Sequence, residues 1–216
     1  MRKDWLYLIV AFIISCTIFY GYYFITKDSD LDIVYKNWDG PSYILAAISM
    51  YNPRVAFENN FINSGDIRQD WTWLPAHFPL YPLAIRGLHL IGIGYFQAML
   101  LVSLGFTLFA YLAMYELLKF LKVSKYPLLL TLPFIFLSPR WFTVSHVGGT
   151  ESMFLFFVIV FLIYVAKKRH GMAALFIGLA QLTRPHAAFF GIAMAIIALV
   201  ELLRTHDLKL IVKTYY

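Results

Sequence analysis

The stretch WLYLIVAFIISCTIFYGYYFIT, residues Trp5–Thr26, carries no charge over its whole length. As a helix rising about 1.5 Å per residue it reaches roughly 33 Å, enough to cross roughly 30 Å of hydrocarbon. Arg2 and Lys3 precede it, which sets the N-terminus inside by the positive-inside rule. A cleaved signal peptide is the rival reading. The run exceeds the usual apolar core of such a peptide, and no clear Ala-x-Ala site stands before Lys27. We therefore read it as the first helix of a membrane protein.

The rest of the chain agrees. Of 216 residues, 61% are hydrophobic and 14% charged, against about 25% charged in soluble domains. Mean hydropathy is +0.69. Apolar segments recur along the whole length, so the chain is not a soluble domain on one anchor. The net charge of +6 does not indicate nucleic acid, because the basic residues cluster between apolar segments, as topology signals do. Aromatic residues make up 19% of the chain, and many lie near segment ends, where interfacial belts form. Cys16 is the single cysteine, so no internal disulfide and no Cys/His metal set is expected.

Residues 27 to about 94 form a long loop with seven acids and five bases, which places it outside. Within it, Pro41 starts a short helix over Ser42–Met50. Tyr51–Asp70 is polar with turn signals, and Leu80–Ile91 returns as a second short amphipathic or interfacial helix. Helix two is expected over 95–118, helix three over 126–138 and helix four over 152–166. Lys119, Lys122 and Lys125 set one turn inside, and Lys167, Lys168 and Arg169 set another. Helices three and four are short for a bilayer, so the turn Pro139–Glu151 between them is expected to sink below the outer surface. The last apolar segment, 172–203, is interrupted by Thr183-Arg184-Pro185. It is either one kinked, tilted span or a segment that dips in and returns. The whole chain, 1–216, is taken as one transmembrane domain without internal repeats.

The polar residues that this topology gathers on the outer side are the candidates for chemistry. Asp39 stands just past the first helix, in Asn-Trp-Asp-Gly-Pro-Ser-Tyr, residues 37–43. It is a candidate general base, and equally the N-cap of the helix that follows. Glu151 opens helix four, as a site residue or as a first-turn carboxylate favoured by the helix dipole. Arg184, the only charge between His170 and Glu201, is a candidate for binding an anion, or is paired with Glu151 or a backbone carbonyl. Arg140 and His146 lie in the sunken turn, and His77 and His186 flank proline-containing stretches. Packing histidines are the alternative for all three. Trp71 and Trp73 are sugar-stacking platforms or interfacial anchors, and Asp66 and Asp70 are second acids or solvated loop charges. No nucleophilic triad, phosphate-cradling glycine loop or helical His pair is present.

Four motifs occur in order: Trp38-Asp39-Gly40 with Tyr43; Phe78-Pro79-Leu80-Tyr81-Pro82; Thr150-Glu151-Ser152; and Leu182-Thr183-Arg184-Pro185. In this order and spacing they resemble membrane glycosyltransferases of the GT-C superfamily. The likeness is to the GPI mannosyltransferase 2 type and its prokaryotic relatives, over about residues 34–190. Thr150 replaces the first serine of the Ser-Glu-Ser element, and His77 stands where an aromatic is common. The chain resembles the N-terminal portion of such an enzyme.

The resemblance implies an all-α polytopic bundle of GT-C type whose large first extracytoplasmic loop carries short interfacial helices. It implies inverting transfer of a sugar, mannose above all, from a polyprenyl-phosphate donor on the extracytoplasmic face. The acceptor is a glycolipid, glycan or protein. Asp39 is then the catalytic base, and Trp38, Tyr43, His77, Tyr81, Arg140, Glu151 and Arg184 contact substrates. No cofactor is implied, and metal dependence is left open. The chain is expected as a multi-pass protein of the cell membrane in a prokaryote, or of the endoplasmic reticulum in a eukaryote, with no nucleic-acid partner. Two other readings stand beside it. One is a transporter or flippase for a lipid-linked sugar, since a mid-membrane arginine in an interrupted helix also suits an anionic substrate path. The other is a non-catalytic subunit that completes a site with a second membrane chain.

Overall fold

The structure, a computed structural model, describes residues 2–26, 31–36, 39–58 and 71–205. Every regular element among them is helical. The long first helix, α1 (Arg2–Thr26), precedes three short ones: α2 (Asp32–Tyr35), α3 (Gly40–Ser49) and α4 (Pro53–Glu58). A 3-10 turn over Trp71–Ala76 leads to α5 (Leu80–Leu90) and the long α6 (Tyr95–Phe120). Then come α7 (Pro127–Phe136), α8 (Pro139–Val144), α9 (Glu151–Ala166), α10 (His170–Gln181) and α11 (Ala187–Thr205).

Two of these helices, over Lys3–Thr26 and Tyr95–Phe120, are long and apolar enough to cross a membrane. They differ in role. The apolar stretch of α6 is half buried, that of α1 only 22% buried, so α6 is the inner helix and α1 flanks it. On α1 the buried residues Leu8, Ala11, Ser15 and Phe19 recur every three or four positions, one stripe of a helix. Its other faces expose Leu6, Ile13, Ile18 and Ile25. Apolar surface of that extent is what a membrane or partner covers.

Around α6 the core divides. Near its start, Ala98, Met99 and Val102 pack with Tyr43 and Ile44 of α3, Tyr81 and Ile85 of α5, and Met153 and Phe157 of α9. Further along, Tyr111 and Tyr115 pack against Leu8 and Ala11 of α1 and Ile135 of α7. Polar side chains on α6 hold the loop before α9. Ser103 Oγ donates to the Gly149 carbonyl and accepts from the Gly149 N–H, both at 3.2 Å. Thr107 Oγ1 donates to the Ser145 carbonyl at 3.0 Å and lies 2.6 Å from Ser152 Oγ. Gly148 lets this loop approach α6, since a Cβ there would sit 2.4 Å from Met99 Sδ.

The expected helices two and four match α6 and α9 to within two residues at each end, and the expected Leu80–Ile91 helix matches α5. Two expectations are corrected and one open alternative is decided. First, α3 is not an interfacial helix. Nine of its ten residues are buried, because α4, α5, α6 and the 3-10 turn enclose it. Arg86 of α5 closes its end, donating from Nη1 to the carbonyls of Ala47 (3.0 Å) and Ile48 (3.1 Å). Second, the turn after α7 contains a helix, α8, started by Pro139 and capped by Ser138 Oγ accepting from the Trp141 N–H. Third, 172–203 is not one span. Thr183, Arg184 and Pro185 separate α10 from α11. A cavity of about 300 Å³ is bounded by Ala173 and Ala174 near the start of α10 and by Met194 and Ala195 well into α11. The two helices therefore run back alongside each other, which is the dip-and-return alternative.

Candidate active site

The first residues of α3, the loop before α9 and the break between α10 and α11 meet around Tyr43. Gly40 and Pro41 start α3 here. The glycine is needed because a Cβ at position 40 would lie 2.9 Å from the Tyr35 carbonyl oxygen. One turn into the helix, the Tyr43 ring stands edge-on to His77 (centroids 4.8 Å apart) and to Tyr81 (5.0 Å). Its hydroxyl lies 3.3 Å from Thr150 Oγ1. Burial pushes the Tyr43 phenol above its ordinary pKa, so it stays protonated. Tyr51, pushed by burial to about 12, donates to the His77 carbonyl at 2.6 Å and fixes that loop.

Thr150 leads directly into Glu151, the first residue of α9. Glu151 Oε1 pairs with Arg184 Nη2 at 3.0 Å. The loop that carries Arg184 is tied to α5 by its backbone, the Leu80 N–H donating to the Leu182 carbonyl at 3.0 Å. The His-Phe-Pro-Leu-Tyr-Pro stretch thus touches both Tyr43 and the arginine-bearing break. All four sequence motifs adjoin one place.

That place is a cavity of about 360 Å³ lined by Asp39, Tyr43, Arg140 and Glu151, with Val144, Val147, Gly148 and Gly149. Asp39 is exposed and its side chain makes no capping hydrogen bond to α3. Its carboxylate is therefore not accounted for by the helix end. The cavity holds two carboxylates and one guanidinium, and Glu151 is balanced from behind by Arg184. A ligand bearing both a hydroxyl and an anionic group finds an acceptor in Asp39 and a cation in Arg140.

Of the residues expected to contact substrates, Tyr43, Arg140 and Glu151 line this cavity beside Asp39. Arg184 adjoins it through Glu151, and His77 through the Tyr43 ring. Tyr81 is corrected. It is fully buried, its hydroxyl 2.6 Å from Ser103 Oγ and 3.1 Å from the Met99 carbonyl. It supports Tyr43 from beneath and cannot reach a ligand. His146 is likewise interior. Its Nδ1 donates to the Phe142 carbonyl at 2.6 Å, its Nε2 lies 3.1 Å from Ser15 Oγ, and Phe19 stacks on its ring. His186 is exposed. Trp38, Asp66 and Asp70 lie outside the described residues, as do the side chains of Trp71 and Trp73. No group of three or more His, Cys, Asp or Glu residues that could hold a metal ion occurs among the described residues.

Sequence reasoning missed the Gly148–Gly149 wall and the part of Thr150. The signal was present as a Gly-Gly pair directly before a Thr-Glu start. A Cβ at Gly149 would lie 2.5 Å from Glu151 Oε2, so a side chain there would move the carboxylate from its present place.

Among the described residues, fold and cavity define an all-helical arrangement with two helices long and apolar enough to cross a membrane and a polar pocket beside the start of α3. No family model, curated protein or solved structure matches the chain.

Proposed function

We propose that this chain is a multi-pass membrane glycosyltransferase of the GT-C kind, with its N-terminus inside and the Asp39 cavity on the extracytoplasmic side. It transfers a sugar, mannose in the first instance, from a polyprenyl-phosphate donor to a lipid- or protein-linked acceptor. One observation carries the proposal: the exposed, uncapped carboxylate of Asp39 shares a cavity with Arg140 and Glu151. The convergence of the four motifs on Tyr43 supports it.

In this reading the acceptor hydroxyl attacks the anomeric carbon as the bond from that carbon to the phosphate oxygen breaks. The proton passes to the Asp39 carboxylate, and the polyprenyl phosphate leaves as an anion, inverting the anomeric centre. Arg140 receives charge developing on the phosphate. Arg184 holds Glu151 and joins Arg140 when the phosphate competes for it, as a planar guanidinium suits a phosphate. The positive end of α9, which starts at the cavity wall, adds to the same field. Tyr43, protonated, donates a hydrogen bond to a sugar oxygen.

The test is transfer from a radiolabelled polyprenyl-phosphate mannose by the purified chain in detergent, beside Asp39→Asn. Loss of about 10²-fold or more in the variant, with the helical fold retained, is expected for removal of a general base. Full transfer by Asp39→Asn overturns the assignment. No transfer by either protein, with the fold intact, overturns transfer of mannose by this chain alone and turns the reading to a different sugar, to a site completed by a second chain or to translocation.

A further inference from the structure

A second and larger cavity, about 750 Å³, lies between α1, α6 and α7. It is lined by Lys119, Lys122 and Lys125, by Asp4 and Tyr126, and by apolar α7 residues that include Leu129. The lysines come from the end of α6 and the turn that follows. Lys122 occupies the left-handed region at φ 53°, which reverses the chain and keeps all three on one rim. Lys119 Nζ sits 5.6 Å from the centre of the Tyr115 ring, a cation–π contact that restrains it. Among the described residues Asp4 is the only acid in the lining, and its Oδ2 accepts from the Tyr115 hydroxyl at 2.6 Å. The cavity is thus cationic by two charges. Topology accounts for lysines in a turn, but not for a cavity enclosed by them.

The wall identifies the ligand class. Leu129, Leu130 and Phe136 on α7 are 61%, 45% and 36% exposed, so an apolar strip continues from the cavity along the helix. A soluble anion has no use for such a strip, whereas a phospholipid lays its acyl chains there. We infer that the cavity between α1, α6 and α7 binds the headgroup of an anionic phospholipid, with its phosphate on Lys119, Lys122 and Lys125. Lys119 stands 16 positions along α6 from Ser103 beside the first cavity, roughly 24 Å along the axis. The two sites therefore lie toward opposite ends of one helix. The inference requires the chain to be membrane-embedded but not that it transfer a sugar.

The experiment is titration of the purified full chain in detergent with palmitoyl-oleoyl phosphatidylglycerol, bound lipid being counted by native mass spectrometry. Phosphatidylcholine is the neutral comparison. The variants are Lys119→Gln/Lys122→Asn/Lys125→Gln, the single Lys125→Gln, and Lys168→Asn as a change outside the cavity that removes one charge as Lys125→Gln does, asparagine being chosen at 122 and 168 because it tolerates their positive φ. Each juxtamembrane lysine is worth about five-fold in affinity, so the triple variant should bind phosphatidylglycerol roughly 100-fold more weakly. Lys168→Asn and Asp39→Asn should bind as the parent does. Circular dichroism verifies the fold of each, and the single Lys125→Gln, expected to lose about five-fold, decides the matter should the triple variant unfold. Equal binding of the two lipids, or undiminished binding by the lysine variants, overturns the inference. Displacement of the lipid by millimolar inorganic phosphate would make this a site for soluble anions and overturn it also.

Discussion

Glu151 and Arg184, 33 positions apart in the chain, meet at 3.0 Å between Oε1 and Nη2. The pair joins the first turn of α9 to the loop separating α10 from α11. Each side chain is about one-third exposed, 32% and 31%, so solvent screens the attraction. A double-mutant cycle with Glu151→Gln and Arg184→Gln should give a coupling of about 0.5–1 kcal/mol by thermal denaturation in detergent. Transfer should fall much more than stability in both single variants, because one removes a charge from the cavity and the other removes the cation that holds it. Equal losses in stability and transfer would mean that the pair only fastens the two elements together.

Gly148 faces Met99 so closely that an added Cβ would lie 2.4 Å from its sulfur. Met99 is itself fully buried, so its flexible end has nowhere to retreat. Gly148→Ala should cost about 1–3 kcal/mol through overpacking. Met99→Ala alone should also destabilise, by about 2–5 kcal/mol. Combined, the two should cost less than their sum, because the truncated methionine leaves the space the alanine needs. Strict additivity in melting experiments would rule out the clash as the cause.

Much of the helix pattern is legible in the chain before any contact is known. Gly94 and the lysines around 119–125 bracket α6, while Pro41 and the Asn52-Pro53 turn signal bracket α3. Thr183-Arg184-Pro185 marks the break that separates α10 from α11, since proline removes a donor and the arginine needs a partner. Of the two partners weighed for that arginine, it takes Glu151. What sequence does not carry is the inside of the packing. Whether α3 lies on a surface or within the core depends on α5 and α6 arriving from elsewhere. Periodicity cannot decide it, because its apolar and small residues suit either place. Tyr81 and His146 read as site residues for the same reason. Their burial is set by Ser103 and Ser15, partners 22 and 131 positions away. Helix α8, at six residues, is too short for any periodic signal.

Arg86 illustrates a contact across such a distance with a measurable cost. Its Nη1 donates to two carbonyls at the end of α3, Ala47 and Ile48, where helical carbonyls lack partners of their own. Arg86→Met keeps the apolar stem and removes the donors. A charged donor of this kind is worth about 1.5–3 kcal/mol, so the variant should melt correspondingly earlier. Arg86→Lys should recover part of the loss, a single ammonium being less well shaped for two acceptors. An unchanged melting temperature for Arg86→Met would show that the buried faces of α3 alone hold its end.

Asp39 permits a sharper separation of stability from activity. An aspartate that caps a helix through its side chain contributes about 0.5–2 kcal/mol, lost on change to alanine. Here the residue occupies the N-cap position of α3 without that hydrogen bond, and the start of the helix is held by buried Gly40 and Pro41 instead. Asp39→Ala should therefore cost no more than about 0.5 kcal/mol. Sugar transfer should nevertheless fall by about 10²-fold or more in Asp39→Ala and Asp39→Asn alike, since neither replacement accepts a proton. Asp39→Glu should retain a fraction of the activity, its carboxylate displaced by one methylene. A variant series in which activity follows melting temperature, with glutamate no better than asparagine, would return Asp39 to the role of a helix cap.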